Sequence, residues 1–124
     1  MKTAMKSLAI LLALVMIIAI VPMSTFTASA ATFSGFCGDN LMWSYDTTTY
    51  TLTISGTGAM KNYYDNRPWQ GYEDSIKNVV LNSGVTTIGR NAFYDFDNLT
   101  SVTIPDSVTT IGDSAFYCCI SLTN

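Results

Sequence analysis

The stretch Val102-Thr-Ile-Pro-Asp-Ser-Val-Thr-Thr-Ile-Gly-Asp-Ser-Ala-Phe-Tyr-Cys-Cys-Ile-Ser-Leu-Thr-Asn124 decides the fold, because the preceding 23 residues have nearly the same sequence. Aligning Val79–Ser101 with it gives 11 identities in 23 positions, among them a shared Val-Thr-Thr-Ile-Gly and a shared Ala-Phe-Tyr. A fixed period of this size is typical of repeat proteins, whose successive units stack and bury one continuous core. The sequence therefore predicts an α/β solenoid.

Each repeat begins with a predicted short strand. Ile76-x-x-Val79-x-Leu81 and Leu99-x-x-Val102-x-Ile104 both follow L-x-x-L-x-L, the strand signature of leucine-rich repeats. Because side chains alternate across a strand, the apolar positions point into the core and the positions between them form an outer face. The candidate binding residues are those of the outer face: Asn78, Val80, Ser101 and Thr103. The alternative is that they only keep an exposed sheet soluble.

The second half of each repeat predicts a short helix. Ala92, Phe93, Phe96 and Leu99 recur at offsets of 0, 1, 4 and 7, which is the spacing of one helix face. The second copy has equivalent residues at the same places: Ala115, Phe116, Cys119 and Leu122. Short parallel strands alternating with short helices give the predicted α/β class.

Residues 31–75 predict a separate unit in front of the repeats, an amino-terminal β-hairpin cap. Apolar residues alternate over Leu41–Tyr45 and again over Tyr50–Ile54, with a short polar link between the two runs. This arrangement is typical of a β-hairpin. The aromatic connection over residues 59–75 is expected to pack on the hairpin and the first repeat, because the end of a solenoid needs a cap. A sugar-binding aromatic surface is the alternative.

Residues 1–30 have the three parts of a secretory signal peptide. Lys2 and Lys6 precede an uncharged apolar run from Leu8 to Met23, and Ala28-Ser29-Ala30 provides a cleavage site. A retained membrane anchor is the alternative, but the run is shorter than the roughly 20 residues that a spanning helix needs. We therefore expect a secreted or extracellular protein, free or held at the cell surface, without membrane contact after cleavage.

Charge narrows the classes of partner. Without residues 1–30, four basic residues remain against nine acidic ones, a net charge of −5. Nucleic acids select for basic faces, and anionic membranes attract basic segments. The sequence therefore argues against both kinds of partner.

The three cysteines are expected to be reduced. A disulfide from Cys37 to Cys118 or Cys119 would need the first strand to lie near the last turn, whereas a linear solenoid separates them. Cys119 aligns with Phe96 and is interpreted as a small core residue rather than a reactive thiol. Cys118 aligns with Asp95 and is expected to be exposed.

The sequence contains no visible catalytic or metal constellation. The chain has no histidine, which removes Ser-His-Asp and Cys-His arrangements and histidine metal ligands. Glu73 and Asp74 are neighbours, which is typical of a solvated turn rather than of paired glycosidase carboxylates. Asp95-Phe96-Asp97-Asn98 lacks the further spaced oxygen ligands of a calcium loop. We therefore expect no enzyme activity, no metal and no cofactor.

Together these residues resemble the BspA-type leucine-rich repeat family of bacterial surface proteins. Val102–Leu122 follows that family's repeat almost letter for letter, with Cys119 at the usual cysteine position and Cys118 where glycine is commoner. The front of the chain looks like the amino-terminal cap that often precedes such repeats, through Cys37–Trp43, Leu52–Met60 and Pro68-Trp69. The chain departs from the family in its short array and in Phe96, which replaces the cysteine of the first copy.

The resemblance implies a secreted or surface-displayed, non-enzymatic module that binds an unidentified protein or glycan, in some members as an adhesin. Two alternatives are the non-catalytic front of a longer secreted enzyme and a truncated structural remnant. Repeats are expected at 76–98 and 99–121, with a third begun at 122 and continuing in a longer protein. The last strand, Ser101–Ile104, is then an open sheet edge at which chains can self-associate.

Overall fold

Short strands linked by turns make up residues 30–124, the part of the chain that the computed structural model describes. In chain order these strands are β1 (Thr32–Phe36), β2 (Leu41–Asp46), β3 (Thr51–Gly56), β4 (Gly58–Ala59), β5 (Asn78–Leu81), β6 (Val85–Ile88), β7 (Ser101–Thr103) and β8 (Thr110–Ile111). The expected signal peptide, and the membrane anchor that is its alternative, fall on residues 1–29, outside the described part.

Five strands form the larger sheet, in the order β1-β2-β3-β5-β7. β2 pairs antiparallel with both β1 and β3, so the structure contains the hairpin predicted from the alternating pattern and one additional strand before it. β3, β5 and β7 run parallel, and Val79 lies opposite Val102. One period of 23 residues therefore corresponds to one step between neighbouring parallel strands.

A second sheet joins β4, β6 and β8, and the repeat pattern does not predict it. β6 and β8 come from the Val-Thr-Thr-Ile-Gly segment that the two repeats share, and Ile88 lies opposite Ile111. These strands are two to four residues long, which is too short for a clear period-2 pattern. Each repeat thus contributes one strand to each sheet.

The predicted short helices are wrong: turns replace them, and residues 30–124 contain no helix. Backbone N–H groups of the first repeat donate to carbonyls of the second, from Phe93 to Ala115 at 2.8 Å and from Asp95 to Tyr117 at 2.8 Å. An α-helix would need these donors for its own i−4 carbonyls. The apolar spacing arises instead from turns whose side chains point inward. Since this part of the chain has no helix, it has none that could span a membrane.

A stack of aromatic rings occupies the core between the turns and the larger sheet. Trp69 is fully buried, and its ring stacks on Phe93 at 5.6 Å between centroids, while Phe93 stacks on Phe116 at 5.3 Å. Trp69 also meets Trp43 of β2 edge-on at 6.2 Å. Trp69 of the aromatic connection therefore packs against the hairpin and the first repeat, whereas Tyr64 of the same connection is 72% exposed.

All three cysteines are free thiols. Cys37 is buried, and burial raises its pKa to about 12. Cys119 is half-buried against the core, and its thiol donates to the Phe93 carbonyl at 3.1 Å. Cys118 is exposed. These surroundings agree with the interpretation of Cys119 as a core residue and of Cys118 as an exposed one.

Burial decreases from the first repeat to the second. Ile88 is fully buried whereas its equivalent Ile111 is 52% exposed, and Leu81 is 2% exposed against 42% for Ile104. The second repeat covers the first, which explains the low exposure there. At the far side of β7, the N–H of Val102 donates to the carbonyl of Asn124 at 3.1 Å.

Candidate binding face

The four residues proposed from the sequence form one block on the larger sheet. Asn78 and Val80 of β5 lie opposite Ser101 and Thr103 of β7, respectively. Thr103 is exposed and the other three side chains are half-buried, while the intervening Val79 is fully buried. The alternation along each strand therefore directs this block away from the core.

Hydrogen bonds hold one half of the block in place. The Ser101 hydroxyl donates to Oδ1 of Asn78 at 2.8 Å, which links the two strands through their side chains. Nδ2 of Asn78 donates to the carbonyl of Thr49 at 3.4 Å. The orientation of the Asn78 amide is thus set by one contact from each side.

The outer face is wider than the sequence suggested, because β3 pairs with β5 and thereby joins the cap to the repeats in one sheet. We call two lines of side chains across the five strands the hydroxyl row and the amide row. The hydroxyl row consists of Ser34, Ser44, Thr53, Val80 and Thr103. The amide row consists of Thr32, Asp46, Thr51, Asn78 and Ser101.

The additional residues carried a weak signal in the sequence. Thr51 and Thr53 alternate with buried Leu52 and Ile54, which placed them on the solvent side of the hairpin. Nothing local showed that this side is continuous with the outer face of the repeats. That continuity depends on a parallel pairing between residues that are 27 positions apart, such as Thr51 and Asn78.

The two rows carry little charge. Their one ionisable side chain is Asp46, whose carboxylate accepts the backbone N–H of Thr48 at 2.7 Å and that of Thr49 at 3.4 Å. Both bonds lower the pKa of Asp46, and the bond from Thr48 has the larger effect. The carboxylate is therefore hydrogen-bonded to the turn that follows β2, and the other side chains of the two rows are neutral.

A cleft of about 620 Å³ lies elsewhere, among the turns. Its walls include Tyr64, Tyr94 and the carboxylates of Glu73, Asp95 and Asp97. Glu73 accepts the N–H of Gly71 and lies 3.8 Å from the guanidinium of Arg67. Within residues 30–124 no group of three or more acidic or cysteine side chains is arranged to hold a metal ion.

Comparison with known proteins identifies the repeats. Residues 71–124 match a family model described as a BspA type leucine rich repeat region (6 copies). The chain also resembles the crystal structure of a leucine-rich repeat protein from Eubacterium ventriosum ATCC 27560, with 40% identity and a TM-score of 0.66. That match covers 69% of this chain and 23% of the other, so the chain spans about a quarter of that protein. No curated protein matches the sequence. Residues 71–124 therefore form a BspA-type leucine-rich repeat region.

Proposed function

We propose that the protein is a secreted or cell-surface, non-catalytic binding module that attaches to another surface in the manner of an adhesin. The export part of the proposal rests on the signal-peptide pattern of residues 1–30. The binding part rests on the repeat family, whose members are generally non-catalytic interaction modules. In this proposal, residues 31–75 cover one end of the stack of repeats.

The observation that carries the proposal is the outward block of Asn78, Val80, Ser101 and Thr103 on adjacent parallel strands. Neighbouring strands lie about 4.8 Å apart, so equivalent side chains recur at that spacing from repeat to repeat. A ligand that contacts several repeats gains affinity from many weak contacts made at once. A shallow repeated face suits an extended partner better than a small molecule, which favours a deep pocket.

The test compares two charge variants of the full-length protein on an immobilised panel of extracellular-matrix proteins and whole cells. Val80→Lys with Thr103→Lys places two charges on the proposed face, and Thr109→Lys with Thr110→Lys places two on exposed positions at the start of β8 in the smaller sheet. We expect the wild type and the second variant to bind the same targets and the first variant to lose them. Circular dichroism of all three proteins checks that the fold is retained. Equal binding by both variants would contradict the proposed face.

A further inference from the structure

We propose that the ligand of this face is a neutral, hydroxyl-rich polysaccharide that lies across the strands, over the cap and the repeats together. The inference rests on the proposed function, because it assigns a ligand class to the same face. It rests on three observations: the hydroxyl row, the low charge of the face, and the exposed apolar side chains of Phe36 and Met42 beside the row, which we call the apolar ledge.

The hydroxyl row aligns four hydroxyl groups across five strands. Ser34 lies opposite Ser44, and Ser44 lies opposite Thr53, so three hydroxyls occupy consecutive strands of the cap. Val80 follows on β5, and Thr103 completes the row on β7. At about 4.8 Å per strand the row spans roughly 19 Å, which is the length of several sugar units rather than one.

These hydroxyls are free to serve a ligand. In the described part of the chain, the hydroxyls of the row form no hydrogen bond with another protein group, whereas four of the five side chains of the amide row form such bonds. In the amide row, Ser101 donates to Asn78 and Thr51 donates to the carbonyl of Thr49. Each free hydroxyl donates one hydrogen bond and accepts up to two, which matches the mixed donor and acceptor character of sugar hydroxyls.

The charge of the face favours a neutral polymer over an anionic one. Asp46 is the single charged residue of the two rows, and it is negative. An anionic polysaccharide or a nucleic acid would need basic side chains to replace its counterions. A neutral polysaccharide has no such requirement, and its binding should change little with salt.

An apolar ledge borders the hydroxyl row on the cap. Phe36 and Met42 lie opposite each other on β1 and β2, two residues beyond the pair of Ser34 and Ser44 and therefore on the same side of the sheet. Phe36 is 70% exposed and Met42 is 44% exposed. The negatively charged face of an aromatic ring attracts the C–H groups of a sugar ring. The ledge therefore gives a stacking surface next to a line of hydrogen-bonding groups.

The experiment measures binding of the full-length protein to insoluble cellulose and chitin and to soluble xylan, with heparin and polygalacturonate as anionic comparators. Ser44→Ala with Thr53→Val removes two hydroxyls from the row, and valine keeps the β-branched shape of threonine that strands favour. Phe36→Ala removes the aromatic ring of the ledge and leaves Met42 in place. Thr110→Val is the matched control, because it removes an exposed hydroxyl from β8 of the other sheet.

We expect retention on at least one neutral polymer, unchanged between about 50 and about 500 mM salt. The double variant should bind it about tenfold more weakly, at roughly one lost hydrogen bond per hydroxyl. Phe36→Ala should also bind more weakly, and Thr110→Val should bind as the wild type does.

Three results would overturn the polysaccharide inference: retention only on the anionic comparators, no retention on any neutral polymer, or neutral-polymer binding that the double variant leaves intact. The proposed function fails separately from it. If matrix proteins or cells still bind to the face but the polysaccharides do not, only the polysaccharide inference is contradicted. If neither panel binds, both proposals fall.

Discussion

Cys118 illustrates how a single residue of this fold is constrained by its backbone. It has a φ of 60°, and its equivalent Asp95 has a φ of 65°. This left-handed conformation brings the Cβ of an L-residue close to its own carbonyl and costs roughly 1–2 kcal/mol for most residues other than glycine. The BspA-type repeats that the chain resembles more often have glycine at the position of Cys118, which fits this geometry.

Substitutions at Cys118 should therefore follow backbone preference rather than exposure. Cys118→Val places a β-branched residue at a positive φ and should lower the free energy of unfolding by about 1 kcal/mol, although the side chain is exposed. Cys118→Gly should stay within about 0.5 kcal/mol of the wild type, because relief of strain offsets the greater entropy of the unfolded chain. Urea unfolding measures both, and Ile120→Val, at another exposed position, is the control. A stable Cys118→Val would contradict the assigned conformation.

Cys37 makes the free energy of unfolding depend on pH in the alkaline range. Its pKa rises from 9.0 to about 12 on folding because of burial. The unfolded chain therefore loses this proton first as the pH rises. The stabilising contribution of the protonated thiol is complete below pH 9.0 and is lost between pH 9.0 and about 12, by up to about 1.4 kcal/mol per pH unit. Burial also raises the pKa of Tyr63, whose hydroxyl donates to the Cys37 carbonyl, so it acts in the same direction above pH 10.0.

The check is the slope of stability against pH rather than its absolute value. We expect the free energy of unfolding of the wild type to fall more steeply above pH 9.0 than that of Cys37→Ala. Urea unfolding under reducing conditions, at about pH 8 and at about one and two units above it, gives both slopes. Parallel slopes would show that Cys37 titrates in the folded protein as it does in the unfolded one.

Among the elements, the turns that replace the predicted helices depend on close backbone approach between repeats. The N–H of Gly112 donates to the carbonyl of Ile88 at 2.8 Å. A Cβ at Gly112 would lie 2.5 Å from the backbone nitrogen of Arg90, which explains why a side chain does not fit there. The glycine that follows isoleucine in both repeats thus marks the place where one turn rests on the next.

A buried side-chain hydrogen bond is one of several that attach the aromatic connection to the first repeat, and Trp69→Phe tests its contribution. Nε1 of Trp69 donates to the carbonyl of Ala92 at 2.8 Å. Phenylalanine removes this donor and leaves a buried carbonyl without a partner, which should cost about 2 kcal/mol, with a further loss from the smaller ring. Urea unfolding measures the loss. Tyr64→Phe is the control, because Tyr64 is 72% exposed and should change stability little. Equal stability of the two variants would contradict the role of this bond.

At the scale of the whole molecule, the second repeat covers the first and stabilises it, while its own side chains are less covered. Phe93 is fully buried between Trp69 and Phe116, whereas within residues 30–124 Phe116 stacks on Phe93 alone and is half-buried. In an array of stacked units, stability is close to a sum of repeat and interface terms. Equivalent residues of the two repeats should therefore contribute unequally to the free energy of unfolding.

Phe93→Leu and Phe116→Leu form a matched pair for this gradient. The first change leaves a void inside a filled stack and should cost about 1.5 kcal/mol. The second acts at a half-exposed position and should cost less than half as much, since the neighbouring side chains can relax. Urea midpoints of the two variants give the comparison. Equal losses would mean that the second repeat is covered as completely as the first.

The open edge of the larger sheet predicts self-association. Within residues 30–124, β7 has a partner strand on one side, and on its other side the N–H of Val102 donates to the carbonyl of Asn124. Ile104, which follows β7, is 42% exposed. Unpaired strand edges with apolar neighbours pair readily with other chains, and a lysine at such an edge opposes pairing. We expect size-exclusion chromatography to show concentration-dependent larger species for the wild type and a monomer for Ile104→Lys. Tyr64→Lys, which adds the same charge away from the edge, is the control. A monomeric wild type at high concentration would refute the prediction.

The sequence alone determined the repeat period, the inward-facing positions and the hairpin. These features are local, because side-chain alternation and a fixed repeat length leave a direct pattern along the chain. Val79 and Val102 could thus be assigned to equivalent inward positions before their pairing in the sheet was known. The four residues of the outer block follow from the same alternation.

Tertiary structure decided the features that depend on distant partners. The offsets of Ala92, Phe93, Phe96 and Leu99 fit both a helix and a stacked turn, and the choice depends on where the backbone donors find carbonyls. Those carbonyls belong to the next repeat, so the turn prevails. The pairing of β3 with β5, which joins cap and repeats into one outer face, is likewise a contact between strands separated by a long connection. Local patterns carry no record of such pairings, because their hydrogen bonds form between groups far apart in the chain.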